Sequence, residues 1–156
     1  MEQQDPNVIR FMDWLDSTME VLDEKIQTGT VKSNADYLSF FEDKAEELYR
    51  QHYMYKCLND LRSHVRKLET PRQIQEYIQR RRNACLDKLL EQDISARSTS
   101  PMGNLAHTLR LECSQQLVRE YDLLVRFLTA TPRQRQEEER ISKVNRDKVR
   151  KGGLRL

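Results

Sequence analysis

Val8, Met12, Leu15, Met19, Leu22 and Ile26 recur at alternating spacings of four and three residues. That is one heptad phase held along a single helical face. Asp5 stands where an N-cap is needed, and Pro6 occupies the first helical position, where a missing N–H costs nothing. The pattern predicts a helix over Pro6–Thr28, ended by Gly29 as helices commonly are. Phe11, Trp14 and Val21 widen the stripe beyond a thin two-stranded seam.

A second periodic stretch starts near Ser33, where Ser33-Asn34-Ala35-Asp36 approximates a capping box. It runs to Leu68 with neither Gly nor Pro. As one helix it would be roughly 50 Å long. Leu38, Phe41, Ala45 and Leu48 share one phase, and Met54, Leu58, Leu61, Val65 and Leu68 another. The slip between Arg50 and Tyr53 is expected to be a stutter in a continuous helix rather than a break, because no breaker residue is present.

The tetrapeptide Thr-Pro-Arg-Gln occurs twice, at Thr70–Gln73 and Thr131–Gln134. Each copy carries a capping box, with Pro at the first helical position. The first copy starts a helix over Pro71–Gln92 with Ile74, Ile78, Cys85 and Leu89 on its apolar face. The second starts a tail helix with only Ile141, Val144 and Val149 to bury, marginal alone and frayed toward its Lys-Gly-Gly-Leu-Arg-Leu end. The first copy leads into an amphipathic segment and the second into an almost wholly polar one, so they are punctuation and not an internal repeat. Residues 93–104, rich in Ser, Thr, Pro and Gly, read as a loop. Leu105, Leu109, Cys113, Leu117, Tyr121, Leu124 and Leu128 then stripe a helix over Asn104–Ala130.

The expected fold is therefore all-α: four long helices and a marginal C-terminal one, as an elongated helical bundle or coiled coil. Residues 1–130 form the body and residues 131–156 a basic helix and tail. Composition agrees, since 37% hydrophobic against 33% charged residues, with four Gly and four Pro, suits long exposed helices. The net charge of +2 is too small to imply a nucleic-acid binder by itself. Its distribution is uneven: residues 133–156 hold nine basic and four acidic side chains, +5, which leaves −3 for the rest. Lys143, Arg146, Lys148, Arg150 and Lys151 are the candidate electrostatic contacts for an acidic surface.

Catalytic chemistry finds few residues to use. His52, His64 and His107 are the only histidines, and Cys57, Cys85 and Cys113 form no CxxC pair. No ligand spacing for a metal, no Gly-rich phosphate loop and no oriented nucleophile emerges, so no catalytic, metal or cofactor residue is assigned. Widely spaced thiols of odd number fit a reducing compartment. With no apolar run near the roughly 20 residues of a membrane span and no signal-peptide pattern, the expectation is a cytoplasmic or nuclear protein. Leu48-Tyr49-Arg50 spells the triplet of the small mitochondrial LYR-motif proteins. There it lies near the start of a compact domain, here it lies mid-helix, and three residues carry nothing over.

Two seams and broad stripes present more apolar face than one chain easily covers, which points to helical partner subunits. The candidate partner interface is the seam Met12, Leu15, Met19 and Leu22 together with the aromatics Tyr49, Tyr53 and Tyr55. Ser100-Pro101 is a candidate proline-directed phosphosite. The expected function is a non-enzymatic structural or adaptor subunit of a helical complex, of the kind common in cytoskeletal and cell-division assemblies. The alternative is a nucleic-acid-associated protein acting through its basic tail.

Overall fold

The computed structural model describes residues 5–92 and 100–153. It is all-α, with six helices and no strand among the described residues: α1 (Pro6–Ala35), α2 (Tyr37–Asp43), α3 (Ala45–Val65), α4 (Pro71–Gln92), α5 (Pro101–Thr129) and α6 (Pro132–Gly153). Residues 93–99, most of the expected loop, lie outside the described residues. Ser100 caps α5, and the helix begins at Pro101, three residues earlier than the stripe suggested.

Cross-helix contacts set the topology. Arg62 of α3 bonds Asp16 of α1 at 3.2 Å, while Leu48 of α3 meets Gly29 of α1, so these two helices are antiparallel. Arg50 of α3 reaches Glu112 of α5 at 2.7 Å, and Tyr53 meets Ser114, so α3 and α5 run the same way. Arg82 of α4 bonds Asp122 of α5 at 2.6 Å across their hairpin. The result is an up-down-up-down bundle of α1, α3, α4 and α5. Its core joins Phe11, Leu15 and Met19 to Met54, Leu58, Leu61 and Val65, to Ile74 and Ile78, and to Cys113, Leu117, Tyr121, Leu124 and Leu128. These are the stripes of the sequence, now facing one another. Burying a side chain of this size contributes about 1.5–3 kcal/mol each.

Both capping boxes form. Gln73 N–H donates to Thr70 Oγ1 at 3.2 Å, and Thr70 N–H to Gln73 Oε1 at 3.2 Å. Gln134 N–H donates to Thr131 Oγ1 at 3.2 Å, and Thr131 N–H to Gln134 Oε1 at 2.9 Å. Asp5 caps α1 through Asn7 N–H at 2.8 Å.

Three expectations are corrected. Gly29 does not end α1, which continues to Ala35. A Cβ at position 29 would stand 2.9 Å from Leu48 Cδ1, so the glycine serves close approach of α1 and α3. The stretch from Ser33 to Leu68 is not one helix, because breaks fall at Asp36 and Lys44. Asp36 ends α1 with its N–H on Lys32 O at 3.1 Å, and its carboxylate caps α2 through Ser39 N–H at 3.3 Å. The stretch where the phase slips, Arg50 to Tyr53, lies inside unbroken α3. With α2 turned as a separate helix, Phe40 is buried while Leu38 is 75% and Phe41 44% exposed, so these two form no seam.

Candidate functional site

The end of the bundle where α1 starts, α5 ends and α6 departs is held by a polar clasp. Asn7 is buried, and its Nδ2 donates to Leu128 O at 3.1 Å and to Ala130 O at 3.0 Å. These are carbonyls at the C-terminal end of α5, which lack helical partners. Asn7 Oδ1 in turn accepts from Arg135 Nη1 at 2.6 Å. One amide thus ties three helices. Beside it Arg10 of α1 forms an ion pair with Glu138 of α6 and lies over the Phe127 ring, 5.4 Å from its centroid, while its Nη1 is buried without a partner. Trp14 packs against the same ring at 6.2 Å.

Beyond the clasp α6 leaves the bundle. A groove of about 530 Å³ opens between α1, α5 and α6, where Arg10, Arg126 and Arg146 face Glu138 and Glu139 over Leu123, Phe127 and Ile141. Ile141 and Val144 of α6 are 50% and 46% exposed. Lys143, Arg146 and Lys148 are exposed, as expected for electrostatic contacts, and the side chains of Arg150 and Lys151 lie outside the described residues. Guanidinium donors over apolar floor suit carboxylate-bearing or phosphate-bearing partners.

The other sequence candidates are placed differently. Leu15 has no accessible surface and Met19 nearly none, both inside this chain's own core, while Met12 and Leu22 pack on its edge. Leu15 and Met19 can meet a second chain only if the bundle opens. Tyr49, Tyr53 and Tyr55 are half-buried, and Tyr53 Oη lies 3.3 Å from Ser114 Oγ. Burial pushes the Tyr53 hydroxyl up in pKa, an effect Ser114 partly offsets. Ser100 Oγ accepts from Gly103 N–H at 3.3 Å as the N-cap of α5. An added phosphate there would sit at a helix N-terminus, a favourable place for negative charge.

Following each stripe separately missed two features. The first is Asn7, whose role is invisible to an apolar pattern. The second is that Cys57 of α3 and Cys85 of α4, though far apart in sequence, share one electrostatic neighbourhood with Arg81 and with Tyr121 of α5. Burial, then proximity to Cys85, pushes Cys57 up to about 11, with Arg81 pulling the other way. Burial raises Cys85 and Cys113 as well. These are protonated, weakly nucleophilic thiols at neutral pH. No group of His, Cys, Asp and Glu suited to a metal ion occurs among the described residues. No helix described is long and apolar enough to cross a membrane.

At the opposite end, Val31, Tyr37, Leu38 and Phe41 are exposed together at the α1–α2 corner, with Tyr37 and Phe41 rings 6.0 Å apart. A cleft between α1, α2 and α3 near this corner is lined by Lys25, Lys32 and Lys44 with Glu24 and Glu47, around Phe40 and Leu48. Set against known proteins, the chain matches no family model, no curated protein and no solved structure.

Proposed function

We propose that this chain is a non-enzymatic structural or adaptor subunit of a helical multiprotein complex. The observation that carries the reading is the α1–α2 corner, where Val31, Tyr37, Leu38 and Phe41 stand out to solvent although the chain has a well-filled core to receive such residues. Adjacent exposed aromatic and aliphatic side chains mark docking surfaces, and aromatic anchors carry much of the energy of interfaces. The neighbouring cleft sets Lys25, Lys32 and Lys44 against Glu24 and Glu47, a mixed-charge edge that suits a partner helix carrying charges of both signs. Lys143, Arg146 and Lys148 on α6 support a second electrostatic contact, and the nucleic-acid reading rests on them alone.

The test is purification of the tagged chain at native abundance, with identification of what accompanies it, beside a Leu38→Glu/Phe41→Glu variant. A stoichiometric set of helical proteins that the variant loses supports the adaptor reading. Association that survives the variant but is lost to nuclease and to salt supports the nucleic-acid reading and removes the first.

A further inference from the structure

At 3.6 residues per turn, Glu137, Ile141, Val144 and Lys148 fall on one stripe of α6 roughly 60° wide. The side chains of α6 that meet its own bundle or line the groove, Arg135, Glu138, Glu139, Ile141, Ser142 and Arg146, centre about 130° away around the helix, with Ile141 at the groove's edge. Val144 therefore faces outward and Ile141 lies at the groove's edge, both half exposed, with an acid one turn before the pair and a base one turn after it.

We propose that this stripe binds the same stripe of a second copy of the chain, α6 against α6, antiparallel. With Ile141 opposite the partner copy's Val144, Glu137 falls opposite Lys148, and twofold symmetry makes both contacts twice. On one flank, Arg140, which also bonds Glu137 of its own helix at 2.8 Å, and Asp147 lie beside the stripe and meet across it as opposite charges. The parallel arrangement would set Glu137 on Glu137 and Lys148 on Lys148. Charge thus selects the orientation and register, as flanking charges do in coiled coils. The two bundles then lie at opposite ends of the pair, about 30 Å apart along it, and on opposite sides. The contact is isologous, so assembly stops at a dimer. With four apolar side chains at its centre it is weak, with a dissociation constant on the order of 10–100 µM. This goes beyond the adaptor reading and uses no residue of the α1–α2 corner.

The measurement is sedimentation equilibrium of the full chain at low ionic strength across that concentration range. The expected result is a monomer–dimer equilibrium that weakens with salt. Lys148→Glu and Glu137→Lys should each weaken it by about tenfold or more, since each change turns two attractions into two repulsions. An equimolar mixture of the two variants should form a heterodimer within about threefold of the native affinity, because every pair is again opposite in sign. A folding defect in either variant could not produce that rescue, and circular dichroism checks the helix content of each. A chain that stays monomeric throughout, a dimer indifferent to the single reversals, or a mixture that fails to recover overturns the proposal. A Leu38→Glu/Phe41→Glu chain should dimerise normally, which separates this result from the fate of the adaptor reading.

Discussion

α4 and α6 begin on the same four residues, Thr-Pro-Arg-Gln, and with the same reciprocal bonds between the Thr hydroxyl, the Gln amide and the backbone. After that they part. Ile74 and Ile78 of α4 enter the core, Arg82 bonds Asp122 of α5, and Tyr77 stacks on His64 of α3 at 5.2 Å. In α6 Arg135 and Glu138 tie the first turns to α1, and every later described side chain is exposed. The capping box decides where a helix starts and says nothing about what the helix packs against. Apolar residues at helical spacing decide that: α4 places Ile74 and Ile78 four apart just after its cap, whereas α6 runs through three consecutive glutamates before Ile141.

The hardest test of this contrast substitutes one isoleucine in each helix. Ile78→Asp places a carboxylate where no surface is accessible and should cost at least about 3–5 kcal/mol, enough to unfold a marginal bundle. Ile141→Asp, measured at protein concentrations where the chain is monomeric, should change stability by no more than about 0.5 kcal/mol. Urea denaturation followed by circular dichroism reads both. Equal losses would mean that α6 packs in solution as firmly as α4.

The clasp limits how separate α6 is. Asn7→Ala removes the donor to Leu128 O and Ala130 O and the acceptor for Arg135, leaving buried polar groups unpaired. A loss of about 1–3 kcal/mol is expected. Truncation after Ala130 keeps Asn7 on the α5 carbonyls and removes only Arg135 and Glu138, so it should cost about 1 kcal/mol, a shift of a few degrees in Tm. A truncation more damaging than Asn7→Ala would move the anchor from the amide to α6 itself.

Much of the bundle was legible in sequence, for definite reasons. The starts of α1, α4 and α6 rest on Asp-Pro and Thr-Pro pairs, whose capping chemistry is local. The stripe from Leu109 to Leu128 faces the core as its period requires. The errors came where one residue type serves two ends. Gly29 looked like a stop, yet nothing in the sequence near it shows that Leu48 will press against its Cα hydrogens. Asp36 looked like a late member of a capping box and is itself the cap, because its carboxylate bonds Ser39 N–H while its own N–H closes α1. The separation of α2 takes Leu38 and Phe41 out of the first phase, but Ala45 and Leu48 share α3 with Met54, so the slip itself falls within one continuous helix. The approach of Cys57 and Cys85 to Tyr121 depends on how three helices are set side by side, which no single stripe encodes.

That thiol neighbourhood belongs to the α4 side of the comparison and gives it a pH signature. Cys57 is held neutral, up to about 11 against an ordinary 9.0, chiefly by burial. The unfolded chain loses this proton near pH 9 and the folded chain near pH 11. Between these values the unfolded state binds fewer protons, so stability falls as pH rises through that window. The two-unit shift, cut by about half because the thiol retains some contact with water, corresponds to about 1–1.5 kcal/mol. Urea midpoints from about pH 8 to about pH 11 should show the decline in full-length and truncated chains alike, and Cys57→Ala should lessen it, the raised Cys85, Cys113 and Tyr53 keeping the remainder. A decline that truncation abolished would place the responsible group on α6.

The smallest effect separates the two helices most directly, because it alters the same atom in the same motif. Thr70→Ala removes the hydroxyl that accepts from Gln73 N–H, and Thr131→Ala the one that accepts from Gln134 N–H. Both helix ends lose an equivalent bond, so both helices are weakened locally by about 0.5–1 kcal/mol. For α4 that loss passes to the whole bundle, because Ile74 and Ile78 cannot stay buried unless its first turns are formed. For α6 it should remain local. The frayed turn leaves little apolar surface uncovered, and global unfolding free energy should change by no more than about 0.3 kcal/mol. Hydrogen exchange resolves the difference. Thr70→Ala should lower protection across α1, α3, α4 and α5 together, whereas Thr131→Ala should lower it only within α6. Equal global losses from both would mean that α6 unfolds with the bundle and that its outward stripe is covered in solution.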